Sequence, residues 1–157
     1  MTGRDWALLV HLLGVAFLFS GMSIAGVAHS AARRRQRPSE IALLLGLTRT
    51  GVLFVAVGSL MVLIGGFWLI EESDGFYSLG DWWISAALVL LLGSFVLGGI
   101  GGQQPKRARL RAEELARTDD APNEELRKML DQPLALWLNY AAAAAIFVAF
   151  VLMVWKP

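Results

Sequence analysis

Four long apolar stretches are the feature that most restricts how this chain folds. They cover residues 6–28, 41–70, 82–101 and 134–155. Each stretch reaches the length of about 20 residues that a helix needs to cross the hydrocarbon core of a bilayer. None alternates polar and apolar residues as a barrel strand does, and lipid admits only helices and closed barrels. The pattern predicts an all-α membrane protein, a bundle of four transmembrane helices that run alternately up and down.

The composition agrees with one integral membrane domain over residues 1–157. Apolar residues make up 56% of the chain and charged residues 17%, whereas soluble domains average about 45–50% and about 25%. This balance excludes a disordered chain and a basic nucleic-acid-binding domain, so no nucleic-acid partner is expected. The sequence contains no cysteine, which excludes disulfides, thiolate metal sites and cysteine nucleophiles.

The charged residues between the stretches are sorted by sign. The first and third loops are basic, whereas residues 71–81 contain acidic residues and no basic one. Short loops rich in Lys and Arg stay in the cytoplasm, so we expect a bacterial plasma membrane protein with both termini outside. We also expect anionic lipid headgroups to bind the basic loop residues. These residues are Arg33, Arg34, Arg35, Arg37, Lys106, Arg107, Arg109 and Arg111.

The cytoplasmic loop over residues 103–133 has a helical pattern of its own. Residues 106–117 predict a basic amphipathic helix, and Thr118-Asp119-Asp120-Ala121-Pro122 is typical of a helix break. A second short helix is expected over residues 124–130. We expect both helices to lie at the inner membrane interface as a hairpin, and the alternative is a docking surface for a soluble partner.

Glycines recur at intervals of seven residues in the first two stretches. Gly14 and Gly21 lie in the first stretch, and Gly51, Gly58 and Gly65 lie in the second. Small residues let transmembrane helices approach closely. The spacing therefore predicts a ridge for tight helix contacts on each of these helices.

His11 is a candidate functional residue because ionisable groups inside membrane spans are costly. It lies about one and a half turns into the first stretch. Its imidazole is a candidate axial ligand of haem b, a metal ligand or a proton carrier. The alternative is a neutral histidine that bonds to a neighbouring helix. His29 follows eighteen residues later on the same helix face, about 27 Å away, which is too far for the two to share one haem.

Arg49 is the second candidate, about two turns into the second stretch. Its guanidinium is suited to bind an anion such as a lipid phosphate or a haem propionate. The alternatives are that its side chain extends to the headgroups, or that it pairs with Glu40. Cofactor binding is therefore assigned to His11 and Arg49.

Other chemistry has no motif in this sequence. Signatures of P-loops, nucleophile elbows, zinc proteases and dinucleotide binding are absent. No carboxylate lies in the middle of a span, which argues against a proton-coupled transporter. No cluster of His, Asp and Glu supplies the ligands of a catalytic zinc ion. We expect no catalytic residue and no metal site.

Short motifs along the chain indicate a family. They are His11-Leu12-Leu13-Gly14, Gly21, Gly65-Gly66 and Trp82-Trp83. In these motifs the chain resembles a group of bacterial four-helix integral membrane proteins of unknown function. It is similar, more distantly, to copper-resistance D proteins and to oxygen-independent membrane protoporphyrinogen oxidases. The resemblance to the oxidases implies that haem b binds to the first-span histidine. The oxidases also need a lysine in the third span, which this chain lacks.

The sequence thus favours a non-enzymatic protein, a scaffold or accessory subunit of a membrane complex, with no cofactor. One alternative is a haem-binding membrane redox protein that uses His11 as axial ligand. A second alternative is a small transporter or channel formed by oligomers. The expected partners are the lipid bilayer and either further copies of the chain or another membrane subunit.

Overall fold

The computed structural model describes residues 2–155, which form six helices. They are α1 (Gly3–Ala32), α2 (Pro38–Glu71), α3 (Trp82–Gly101), α4 (Gln103–Thr118), α5 (Glu124–Leu130) and α6 (Pro133–Trp155). In this part of the chain, four helical stretches are long and apolar enough to cross a membrane, and they contain α1, α2, α3 and α6. The prediction of an all-α fold with four spanning helices is confirmed.

Local signals in the sequence set where the helices begin. The Thr2 side chain accepts a hydrogen bond from the backbone of Asp5, and the Asp5 carboxylate accepts one from the backbone of Thr2, which makes a capping box. Proline 38 begins α2, where its missing N–H costs nothing. Between α2 and α3 the chain reverses through Asp74 and Gly75, whose φ angles are 51° and 83°.

The helices α1 and α2 form a tightly packed antiparallel pair. A Cβ added to Gly58 would lie 2.5 Å from the backbone nitrogen of Leu18, and one added to Gly14 would lie 2.7 Å from that of Val62. Only glycine lets the two backbones approach this closely. The glycine ridges predicted from the seven-residue spacing therefore meet each other.

The helices α3 and α6 form the second antiparallel pair. Asn139 of α6 packs against Gly101 of α3. The two pairs meet near the middle of the bundle, where Leu18, Leu91 and Ile146 form a buried cluster. Side chains from α1, α3 and α6 therefore fill the space between the two pairs about halfway along the bundle.

The two ends of the bundle differ in charge and in the elements that cover them. The acidic end carries the link over residues 72–81. The basic end carries the arginine-rich link over residues 33–37 together with α4 and α5. At the basic end, apolar residues of α4 and α5 are buried against the ends of α1 and α2. This cluster consists of Ala32, Ile41, Leu45, Ala108, Ala112, Leu126 and Leu130.

Large apolar side chains cover the outside of the spanning helices. Val27, Leu43, Val89 and Val154 are each at least 66% exposed, and they lie on α1, α2, α3 and α6. Such a surface is unstable in water and stable in hydrocarbon. The exposure pattern fits a protein whose solvent is the bilayer.

Candidate ligand-binding cavity

A cavity lies between the two helix pairs at the acidic end of the bundle. Its volume is 420 Å³, and α1, α2, α3, α6 and the link 72–81 all contribute to its wall. It extends along α1 from Arg4 to Phe19, about 22 Å at the rise of an α-helix. The wall is mainly apolar, and the mid-bundle cluster closes its inner end.

His11 lies on the wall of this cavity and is held in one orientation. Its Nδ1 donates a hydrogen bond to the backbone carbonyl of Val62 at 3.0 Å. Gly65 allows this contact, because a Cβ there would lie 2.7 Å from the backbone nitrogen of His11. Among residues 2–155, Nε2 has no protein partner. This second nitrogen is therefore the ring atom that remains for a ligand.

The other polar groups of the wall are close to the acidic end. Arg4 lies at the start of α1, and Tyr77 and Trp83 line the cavity beside it. The two rings meet edge to face with centroids 5.8 Å apart. Tyr77 is positioned by the tight turn before it, where its backbone nitrogen donates to the Ser73 hydroxyl at 3.1 Å. These residues form an aromatic and cationic rim.

The structure places Arg49 away from His11. Arg49 is exposed on α2 and does not line the cavity. Thirteen residues separate it from Val62, about 20 Å along the helix. Glu40, the pairing partner considered for it, lies 3.9 Å from Arg35 instead. A cofactor role for Arg49 stays a prediction, and the cation beside the cavity is Arg4.

His29 lies at the basic end, outside the cavity. Its Nδ1 is buried, and the described residues offer it no hydrogen-bond partner. Arg33 and Asp131 are its charged neighbours, and they pair with each other at 2.9 Å. His11 and His29 therefore belong to separate environments.

The residues around the cavity offer few ligands to a metal ion. Over the described chain, no group of three or more His, Cys, Asp or Glu residues lies close enough to hold one. The side chains of the wall that can bind a metal are the imidazole of His11, the thioether of Met153 and the phenol of Tyr77. Imidazole and thioether are ligands that haem iron accepts, whereas a zinc site needs three or four protein ligands.

Fold and cavity together define a small polytopic membrane protein, a four-span bundle with an apolar cleft inside it. The family model of DUF2269, described as a predicted integral membrane protein, matches residues 6–157. The chain belongs to this family of unknown function, as the motifs around His11 and Gly65 suggest. Comparisons with curated proteins and with solved structures found no match.

Proposed function

We propose that this protein is a non-enzymatic accessory subunit or scaffold that holds an apolar ligand in the cleft between its helix pairs. The cavity supports this proposal, because 420 Å³ falls within the range of about 300–1,000 Å³ of small-molecule sites. Such sites have apolar walls and a few placed polar groups, as here. The polar side chains that line the described wall include Arg4, His11 and Tyr77, with no carboxylate among them, which favours binding of a ligand over acid–base catalysis.

Quenching of Trp83 fluorescence by a brominated long-chain amphiphile tests this proposal. Trp83 lines the cavity, and a variant that keeps it as the sole tryptophan reports a bound chain by saturable quenching. Ala149→Phe fills the cavity from α6 and should abolish the saturable component. Ala144→Phe adds the same ring to an exposed face of α6 and should leave it intact. Quenching that is equal in both variants would contradict the proposal.

We also propose that the protein lies in a bacterial plasma membrane with the basic end in the cytoplasm and the termini outside. The sorting of basic and acidic links supports this orientation. Because the chain contains no cysteine, single cysteines can be introduced without background. Gln36→Cys should react with a membrane-impermeant maleimide only after cell lysis, and Glu71→Cys should react in intact cells. The reverse pattern would refute the orientation.

Anionic headgroups at the basic end are part of the same proposal. Arg33, Arg35, Arg109 and Arg111 form ion pairs inside the protein at 2.6–3.9 Å. The remaining basic residues of the predicted set are the better candidates for lipid binding. They are Arg34, Arg37, Lys106 and Arg107. Replacing all four by Gln should lower the binding of phosphatidylglycerol to the purified protein, whereas Arg4→Gln, at the opposite end of the bundle, should not.

A haem-binding redox protein is the second candidate, and the orientation of His11 favours it. Histidines that ligate metals commonly donate their other ring nitrogen to a carbonyl or carboxylate, as His11 does to Val62. The imidazole of His11 and the thioether of Met153 would hold haem b, and Arg4 would pair with a propionate. Haem iron would supply one-electron redox chemistry.

The absorption spectrum of the purified protein tests this second candidate. A Soret band that disappears in His11→Ala and persists in His29→Ala would support it. His29 is the matched control because it lies on the same helix but outside the cavity. A colourless preparation free of iron, from cells supplied with haem, would refute it.

A further inference from the structure

The hydrogen bond of His11 determines what its free nitrogen can recognise. A backbone carbonyl only accepts hydrogen bonds, so Nδ1 of His11 must be protonated in order to donate one to Val62. The described wall of the cavity has no carboxylate to balance an imidazolium, and its charged group is the cation of Arg4. An imidazole that is uncharged and protonated at Nδ1 has an accepting Nε2. A ligand that forms a hydrogen bond with this atom must bring the donor.

The depth of His11 excludes a charged donor. His11 lies seven residues after Arg4 and eight before Phe19, so it is about 10 Å from one end of the cavity and about 12 Å from the other along α1. The polar rim is at the end with Arg4, and the deeper wall is apolar. A charged group at this depth loses its hydration without a counter-ion, which is far more costly than the burial of a hydroxyl.

We infer that the cavity binds an uncharged amphiphile whose head carries a hydroxyl group, with that hydroxyl donating to Nε2 of His11. The apolar body of the ligand packs between the helix pairs toward Leu18, Leu91 and Ile146. This inference rests on the proposed function and specifies the ligand class for the same cavity. His11 recognises the hydroxyl of the ligand, and the apolar wall packs against any hydrocarbon part that fits the width of the cavity.

Three brominated probes separate the recognised group from the apolar body. They are brominated octanol, its methyl ether and brominated octanoate, whose chains are short enough for the space between His11 and the inner end, titrated against the variant with Trp83 as sole tryptophan. The alcohol should bind roughly twofold to tenfold more tightly than the ether, which is the worth of one neutral hydrogen bond. His11→Phe should bring the alcohol down to the affinity of the ether and leave the ether unchanged. His29→Phe makes the same substitution on the same helix outside the cavity and should not alter the preference for the alcohol.

Each other outcome has a defined meaning. Equal affinities of alcohol and ether in the sole-tryptophan protein with His11 would overturn the inference but leave the apolar binding site in place, and this comparison needs no substitution at His11. Tighter binding of octanoate that Arg4→Gln abolishes would show that the site selects an anion and would also overturn the inference. A Soret band in the purified protein that depends on His11 would show that Nε2 binds haem iron, and this result would also overturn the inference.

A control tryptophan distinguishes failure of this inference from failure of the proposed function. Trp137 is exposed at the other end of α6 and does not line the cavity. A variant with Trp137 as sole tryptophan measures quenching by probe dissolved in the detergent. If Trp83 is quenched no more than Trp137 by any probe, the cavity binds no amphiphile and both proposals fail.

Discussion

Asp120 accepts two hydrogen bonds from Ser39, one from the backbone nitrogen at 2.8 Å and one from the hydroxyl at 2.7 Å. Asp120 lies in the link between α4 and α5, and Ser39 lies in the first turn of α2. The N-cap residue of α2, Arg37, makes no side-chain cap of its own. The carboxylate of a distant link therefore caps α2, where the helix dipole also favours a negative charge.

Removal of this cap should lower the stability of the basic end. Asp120→Ala leaves the N–H and hydroxyl of Ser39 without their acceptor, so the protein should unfold at a lower temperature than the wild type. Asp120→Asn retains an acceptor and should be intermediate. Thermal unfolding in detergent, followed by circular dichroism, measures the order. Asp119→Ala changes the preceding carboxylate, which makes no side-chain hydrogen bond among the described residues, and should have a smaller effect.

The same contact predicts a dependence of stability on pH. The hydroxyl and then the backbone N–H of Ser39 hold the pKa of Asp120 below the usual range of an aspartate. A carboxyl whose pKa is lower in the folded state stabilises the protein fully above its unfolded pKa, and this contribution is lost as the pH falls through the folded pKa. The difference in melting temperature between wild type and Asp120→Asn should persist at pH 7 and 5 and shrink below about pH 4.

Ser39→Ala provides the control for that pH dependence. It removes the hydroxyl donor and leaves the backbone donor, so it should reduce the difference without abolishing it. A difference between wild type and Asp120→Asn that stays constant down to pH 3 would show that the Asp120 charge does not contribute through Ser39.

The glycine contact between α1 and α2 predicts a large effect from a single methyl group. In Gly58→Ala the new Cβ would overlap the backbone of Leu18, so α1 and α2 must separate. We expect a loss of about 1–3 kcal/mol in the free energy of unfolding, as for overpacked interiors. Gly46→Ala is the matched control in the same helix, because a Cβ there meets nothing within 4 Å. Reversible unfolding in mixed micelles measures both, and equal losses would refute the close contact.

The spanning helices and the α1–α2 contact face are predictable from the sequence for a physical reason. Lipid forces backbone hydrogen bonds inside each segment, so apolar length alone indicates a helix. The spacing of Gly51, Gly58 and Gly65 identifies a face because seven residues are close to two helical turns. Both signals are local, and neither depends on which helices become neighbours.

The cavity and the cap depend on long-range packing, which local signals do not contain. Because ionisable groups are costly in lipid, His11 and Arg49 are equally strong candidates from the sequence, yet of these two only His11 faces the cavity. Arg4 lies at the end of its span, where a cation is ordinary, and only the approach of α3 and α6 makes it part of the wall. Asp120 and Ser39 are 81 residues apart, and an aspartate in a helix break has no pattern that indicates a distant helix as its partner.

The neighbouring glycines Gly65 and Gly66 give the most specific test of how His11 is held. A Cβ on Gly65 would lie 2.7 Å from the backbone nitrogen of His11, whereas one on Gly66 would lie 3.5 Å from its ring, an ordinary contact. Gly65→Ala should therefore displace α1 at His11 and break the bond from Nδ1 to Val62. Once the ring is free to turn, Nε2 no longer has a defined position for a ligand.

The expected result is that Gly65→Ala loses the preference of the cavity for brominated octanol over its methyl ether, while Gly66→Ala retains it. Saturable quenching of Trp83 by the two probes measures the preference in both variants. The ether should still bind in both, because its apolar contacts do not depend on the orientation of His11. A preference that survives Gly65→Ala would mean that the tight approach of α2 does not set the position of the imidazole.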